Sequence, residues 1–132
     1  MPALIAHRAS EQLTFVGDVS AATRLAAGKE FLKTEMAGLR ARHRAGASGL
    51  TICHDRAAII DALLTRLFDY AMGSYHRQHG AVPAPVTLVA LGGYGRSELS
   101  PWSDVDLMFL FPTKTKGSCC STNTYVRREG IN

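Results

Sequence analysis

Leu91-Gly92-Gly93-Tyr94-Gly95-Arg96-Ser97-Glu98-Leu99-Ser100-Pro101-Trp102-Ser103-Asp104-Val105-Asp106-Leu107 is the stretch that decides how this chain is read. Ahead of it lies an apolar run at 86–91, set off by Pro83 and Pro85, and behind it Met108-Phe109-Leu110-Phe111 stops at Pro112. Short β-compatible runs bracketed by Pro and Gly predict two buried strands, 86–91 and 104–111, with a loop between them. Side chains alternate along a strand, so Asp104 and Asp106 emerge on one face, a few ångströms apart. Two like charges that close need a cation between them. Mg²⁺ takes one or two carboxylates together with phosphate oxygens and water, which makes Asp104 and Asp106 the candidate metal ligands.

The loop supplies what a phosphate group needs. Gly92 and Gly93 follow the strand directly, and without Cβ atoms their backbone N–H groups can approach phosphate oxygens closely. Arg96 and Ser103 add side-chain donors. The common nucleotide fingerprints are absent: there is no Gly-Lys-Ser/Thr, and Glu98 stands where a dinucleotide-binding motif has its third Gly.

Upstream, residues 20–44 are rich in Ala, Leu, Lys, Glu and Arg, with Ser20 placed as N-cap and Gly46 as terminator. This predicts an amphipathic helix with Leu25, Phe31, Leu32, Met36 and Leu39 on its apolar side and Arg40, Arg42 and Arg44 at a solvated end. A Gly/Ser break at 46–49 precedes a second helix over 54–78, whose stripe of Ile59, Ile60, Leu63, Leu64, Leu67, Phe68 and Ala71 is broad enough to cover a sheet. Its end is set by Gly80. Residues 1–19 are read as an N-terminal segment with a brief apolar patch, and residues 20–80 as a helical region. His54-Asp55 lacks the further His and Asp that a metal site requires and is taken as a chance pair.

The whole chain has 132 residues, 46% of them apolar, and a formal net charge of +4. No apolar run reaches the ~18 residues of a membrane span, which excludes a membrane protein, and no signal-peptide pattern opens the chain. A cytoplasmic location is expected. Cys53, Cys119 and Cys120 are too few and too poorly spaced for a disulfide framework and read as reduced thiols. Up to Pro112 the charge balance is only +1, and the last twenty residues carry +3. A nucleic-acid partner is therefore not expected from the overall charge. The composition also changes at Thr113, and residues 113–132 are expected to form a poorly ordered tail foreign to the rest, as a frameshift or a premature stop would leave.

The pattern Leu91-Gly92-Gly93, ten residues, then Asp104-Val105-Asp106-Leu107 resembles the signature of the polymerase-β-like nucleotidyltransferase superfamily. Within it, the longer string from Gly92 to Leu107 is similar to the bacterial PII uridylyltransferases. The resemblance is specific over 86–112 and only compatible over the helical region. It implies an α/β (α+β) fold, an incomplete nucleotidyltransferase domain with N-terminal helices packed on a small mixed sheet, its core beginning at 81–112. It implies Mg²⁺ on Asp104 and Asp106 as catalytic carboxylates, and UTP held by Gly92 and Gly93 with Arg96 and Ser103 in support. The partner implied is the PII signal protein of nitrogen regulation, whose tyrosine receives UMP.

This family has a third carboxylate on a later strand, and here no acidic residue follows Asp106 until Glu129. A chain of this length also has no room for the family's metal-dependent HD domain or its ACT domains. A fragment inactive by itself is the expectation. The alternatives are a non-catalytic nucleotide- or Mg²⁺-binding module, and a small basic protein that binds nucleic acid through its tail.

Overall fold

The computed structural model describes residues 1–81 and 84–110. Six elements follow in order: α1 Pro2–Gln12, α2 Ala21–Arg44, α3 Gly49–His79, β1 Thr87–Ala90, a single turn α4 Gly92–Gly95, and β2 Leu107–Leu110. Helices and a sheet share the chain, as the α/β expectation requires. Residues 113–132 lie outside the described residues, and so do Cys119 and Cys120.

α1 was not anticipated in the N-terminal segment. Pro2 sits in its first turn, where a missing N–H costs nothing. Ile5, Ala9 and Leu13, four residues apart, form a narrow stripe buried against the other two helices. α2 starts where expected, with the Ser20 hydroxyl accepting the Thr23 N–H at 3.1 Å. Its buried face is Gly28, Phe31, Glu35 and Leu39. That face is turned by about one residue from the expected stripe, so Leu25 is 51% exposed. Gly28 does not interrupt the helix: a Cβ there would lie 3.4 Å from Leu63 Cδ1, so the missing side chain lets α2 and α3 approach.

α3 begins five residues earlier than the pattern at 54–78 indicates, because Ser48 caps it by accepting the Thr51 N–H at 3.2 Å. It ends at His79 with Gly80 at φ 82°, a conformation suited to glycine. Its apolar stripe serves two partners. Ile59 and Leu63 join Ile5, Ala9, Leu13, Phe31, Leu39 and Ile52 in a three-helix core. Ala57 and Ile60 join Tyr94 and Leu99 in a second cluster, against which Ala90, Val105 and Leu107 pack. The sheet side thus meets the helices through this second cluster.

Two ion pairs cross between helices. Arg8 grips Glu35 with Nε at 2.5 Å and a terminal guanidinium nitrogen at 2.6 Å. Glu35 is only 6% exposed, and its hydrogen bonds raise the pKa of Arg8 further. Arg42 lies 2.5 Å from the buried Asp55 carboxylate, so of the three arginines expected at a solvated end, only Arg40 and Arg44 are exposed. Asp55 is thereby accounted for, and His54 points to solvent, so the His54-Asp55 pair is structural.

The segment between α1 and α2 is tied to the end of α3. The Tyr70 hydroxyl accepts the Val19 N–H at 2.8 Å, the Arg24 guanidinium lies over the Tyr70 ring at 4.6 Å, and Phe15 meets that ring edge-on at 5.5 Å. The described sheet is a two-stranded antiparallel pair, with Thr87 opposite Leu110, Leu88 opposite Phe109, Val89 opposite Met108 and Ala90 opposite Leu107. No helix of the described residues is long and apolar enough to cross a membrane.

Candidate functional site

The loop from Gly92 to Asp106 closes on itself before it returns to the sheet. Gly92 leaves β1 at φ 58°, in the left-handed region where a side chain is strained, and the chain then makes the single turn of α4. The Gly95 N–H donates to the Leu91 carbonyl at 2.8 Å, and the Glu98 N–H to the Gly93 carbonyl at 2.8 Å. Gly95 packs so tightly that a Cβ would lie 2.7 Å from the Ala90 carbonyl oxygen. Ser97 also adopts positive φ, 58°, which lets the chain turn back. Among the described residues the N–H groups of Gly92 and Gly93 take no hydrogen bond.

The two ends of the loop meet. The Leu91 N–H donates to the Asp106 carbonyl at 3.0 Å, and the Asp106 Oδ2 lies 3.5 Å from the point a Gly92 Cβ would occupy. A carboxylate and an uncovered glycine backbone thus share one spot. Residues 104–107 alternate exposed, half-buried, exposed, half-buried, with Val105 and Leu107 on the second cluster and Asp104 and Asp106 in solvent. The strand itself starts at Leu107, three residues later than expected, so both carboxylates sit on its extended approach.

An exposed carboxylate beside bare backbone, with a second exposed one two residues before it, suits a hard cation that keeps phosphate and water as its other ligands. Among the described residues there is no group of three or more His, Cys, Asp and Glu side chains, so protein ligands alone do not complete a cage. Of the remaining candidates, Arg96 is exposed and its guanidinium lies 3.4 Å from Glu98. Ser103 is committed to the turn: its hydroxyl donates to the Ser100 carbonyl at 2.9 Å. Trp102 is 97% exposed in that turn.

Sequence reasoning missed the supports beneath the loop, both on α3. The Tyr94 hydroxyl donates to Asp61 Oδ1 at 2.5 Å from a buried position. Burial, then the hydrogen bond to Asp61 and its charge, push the Tyr94 phenol well above its usual range. Arg56 donates to the Ser100 carbonyl and, at 3.2 Å, to the Ser103 carbonyl. Burial lowers the Arg56 pKa from its very high ordinary value.

Tyr94→Phe is expected to cost about 1.5–3 kcal/mol, the worth of a hydrogen bond to a charged acceptor. The raised phenol favours folding in full below pH ~10, where tyrosines of the unfolded chain stay protonated, and that contribution is lost as the pH rises toward the folded value. The wild type should therefore lose stability above pH ~10 more steeply than the Phe variant. Denaturant melts at pH 8 and pH 11 check this, and equal slopes would refute it.

Residues 33–128 match the nucleotidyltransferase family DUF294, which is most of the chain. The chain belongs to this family. The bifunctional uridylyltransferase/uridylyl-removing enzyme of Rhodospirillum rubrum is 38% identical over 68 residues, 51% of this chain. The enzymes of the same name from Burkholderia orbicola and Methylococcus capsulatus are 41% identical over 80 residues and 40% over 93, or 61% and 70% of this chain. These matches span only 7%, 8% and 10% of the relatives' own lengths. No solved structure matches the chain significantly. The nucleotidyltransferase loop, from Gly92 to Asp106, lies inside the family match.

Proposed function

We propose that this chain carries the nucleotide-binding corner of a uridylyltransferase: Gly92 and Gly93 receive the triphosphate of UTP, and Asp104 and Asp106 hold Mg²⁺ against it. The observation that carries this reading is the approach of Asp106 Oδ2 to the bare backbone at Gly92. A phosphate lying on that backbone would come within reach of a cation held by the carboxylate. When bound, the Mg²⁺ would offset the charge of the phosphates and of the leaving pyrophosphate. Arg96, with its guanidinium mostly in solvent, can swing toward the same phosphates, while Ser103 supports the turn more directly than the nucleotide.

The acceptor in this reading is a tyrosine of the PII signal protein, which the loop resemblance implies, while the names of the relatives speak for uridylyl transfer. In the same reading the chain binds nucleotide without transferring UMP by itself, because the family's third carboxylate has no counterpart between Asp106 and Glu129.

The test is a UTP titration with and without Mg²⁺. Mg²⁺-dependent binding that falls at least tenfold in Asp104→Asn/Asp106→Asn is the expected result, given that the pair supplies the metal's protein ligands. Binding that ignores Mg²⁺ and both substitutions would sink the reading. Efficient UMP transfer to PII by the purified chain would overturn the claim that it is inactive alone.

A further inference from the structure

Arg56 lies outside every motif in the loop, yet it holds the turn from which the carboxylate pair departs. It reaches from α3 to the Ser100 carbonyl, 44 residues away, and to the Ser103 carbonyl through both terminal nitrogens, each at 3.2 Å. The Ser103 hydroxyl is a further contact at 3.4 Å. The turn is otherwise closed by the Ser103 N–H on the Ser100 carbonyl at 3.0 Å and by the Ser103 hydroxyl on the same oxygen. Asp104 follows at once. No carboxylate pairs with Arg56 among the described residues, so its fork is spent on backbone oxygens.

We infer that Arg56 is a positioning residue for the metal pair: by gripping both ends of the Ser100–Ser103 turn it fixes the direction in which Asp104 and Asp106 leave it. This rests on the proposed cation site. A guanidinium presents its donors in a rigid planar fork, whereas an ammonium on a flexible stem leaves their direction free, so lysine would keep the charge and loosen the geometry. Outer-shell partners that orient ligand carboxylates commonly contribute tenfold or more to metal affinity.

The sign of the effect separates positioning from plain electrostatics. Removing a cation near a cation site should, by Coulomb's law alone, tighten metal binding. Positioning requires the opposite. The chain provides its own reporter, because Trp102 is its only tryptophan and stands 97% exposed in the turn that Arg56 holds.

The experiment measures Mn²⁺ affinity and time-resolved Trp102 anisotropy in the full chain, Arg56→Met and Arg56→Lys, with far-UV circular dichroism confirming the helices. Expected in both variants are faster local Trp102 motion and Mn²⁺ binding weakened roughly tenfold, with helicity retained. Unchanged or tighter Mn²⁺ binding in Arg56→Met would overturn the proposal, as would full wild-type affinity in Arg56→Lys. If Arg56→Met loses helicity, Arg56→Lys decides by the same two readouts. A wild-type chain that binds no Mn²⁺ refutes the cation site, and the positioning claim with it. Failure of the positioning claim alone leaves wild-type binding intact, so the two failures are distinguishable.

Discussion

Gly95→Ala should destabilise the loop by roughly 2–3 kcal/mol, the range of overpacking in a close-packed site. The added Cβ would sit 2.7 Å from the Ala90 carbonyl oxygen and 3.2 Å from its carbon, backbone atoms that cannot rotate away. To relieve the contact, either the α4 turn lifts from β1 or the end of β1 moves. Both separate the Gly92 backbone from Asp106, so weaker metal binding should accompany the lost stability. Gly38→Ala is the matched contrast. A Cβ at Gly38 meets nothing within 4 Å on an exposed face of α2, and alanine there should stabilise the helix by about 1 kcal/mol. Thermal melts should show shifts of opposite sign. An unchanged melt and an unchanged Mn²⁺ titration for Gly95→Ala would mean that the contact is not tight.

Arg8→Met is the second large effect. It strips both hydrogen bonds from a carboxylate that is 6% exposed, and an uncompensated buried charge of this kind costs about 3 kcal/mol. The loss comes from stranding Glu35, since a buried ion pair as a whole adds little over an apolar one. The double variant Arg8→Met/Glu35→Leu should therefore recover most of the stability. Chemical denaturation of the two single variants and the double closes the cycle. Additive losses in the double variant would show that the two side chains do not act as a pair.

The parts of the molecule that were legible in the sequence are those written in local pattern. Ser20 marks the start of α2, Gly80 the end of α3, and the glycines and the Asp-x-Asp spacing mark the loop. The apolar stripe of α3 correctly called for a sheet-side partner, because Ala57 and Ile60 face Tyr94 and Leu99. What was not legible depends on contacts between distant residues. Tyr94 meets Asp61 across 33 residues, and Arg56 meets Ser100 across 44, so no periodicity announces either. α1 escaped because its stripe is only Ile5, Ala9 and Leu13, too narrow to register as a helical pattern. The rotated face of α2 has a similar origin: burying Glu35 under Arg8 and pressing Gly28 against Leu63 moved Leu25 into solvent. The loop and its carboxylates were thus easier to read in the sequence than the side chains that hold them.

The division of α3 between two clusters sets what the loop depends on. The groups that pack α1 and α2 against α3 lie ahead of β1 in sequence, and they hold one side of that helix. The loop docks on another side, that of Arg56, Ala57, Ile60 and Asp61, which the three-helix core keeps in place. The helices are thus a template, and the glycine loop with its carboxylates is shaped against a surface whose own core holds no loop residue.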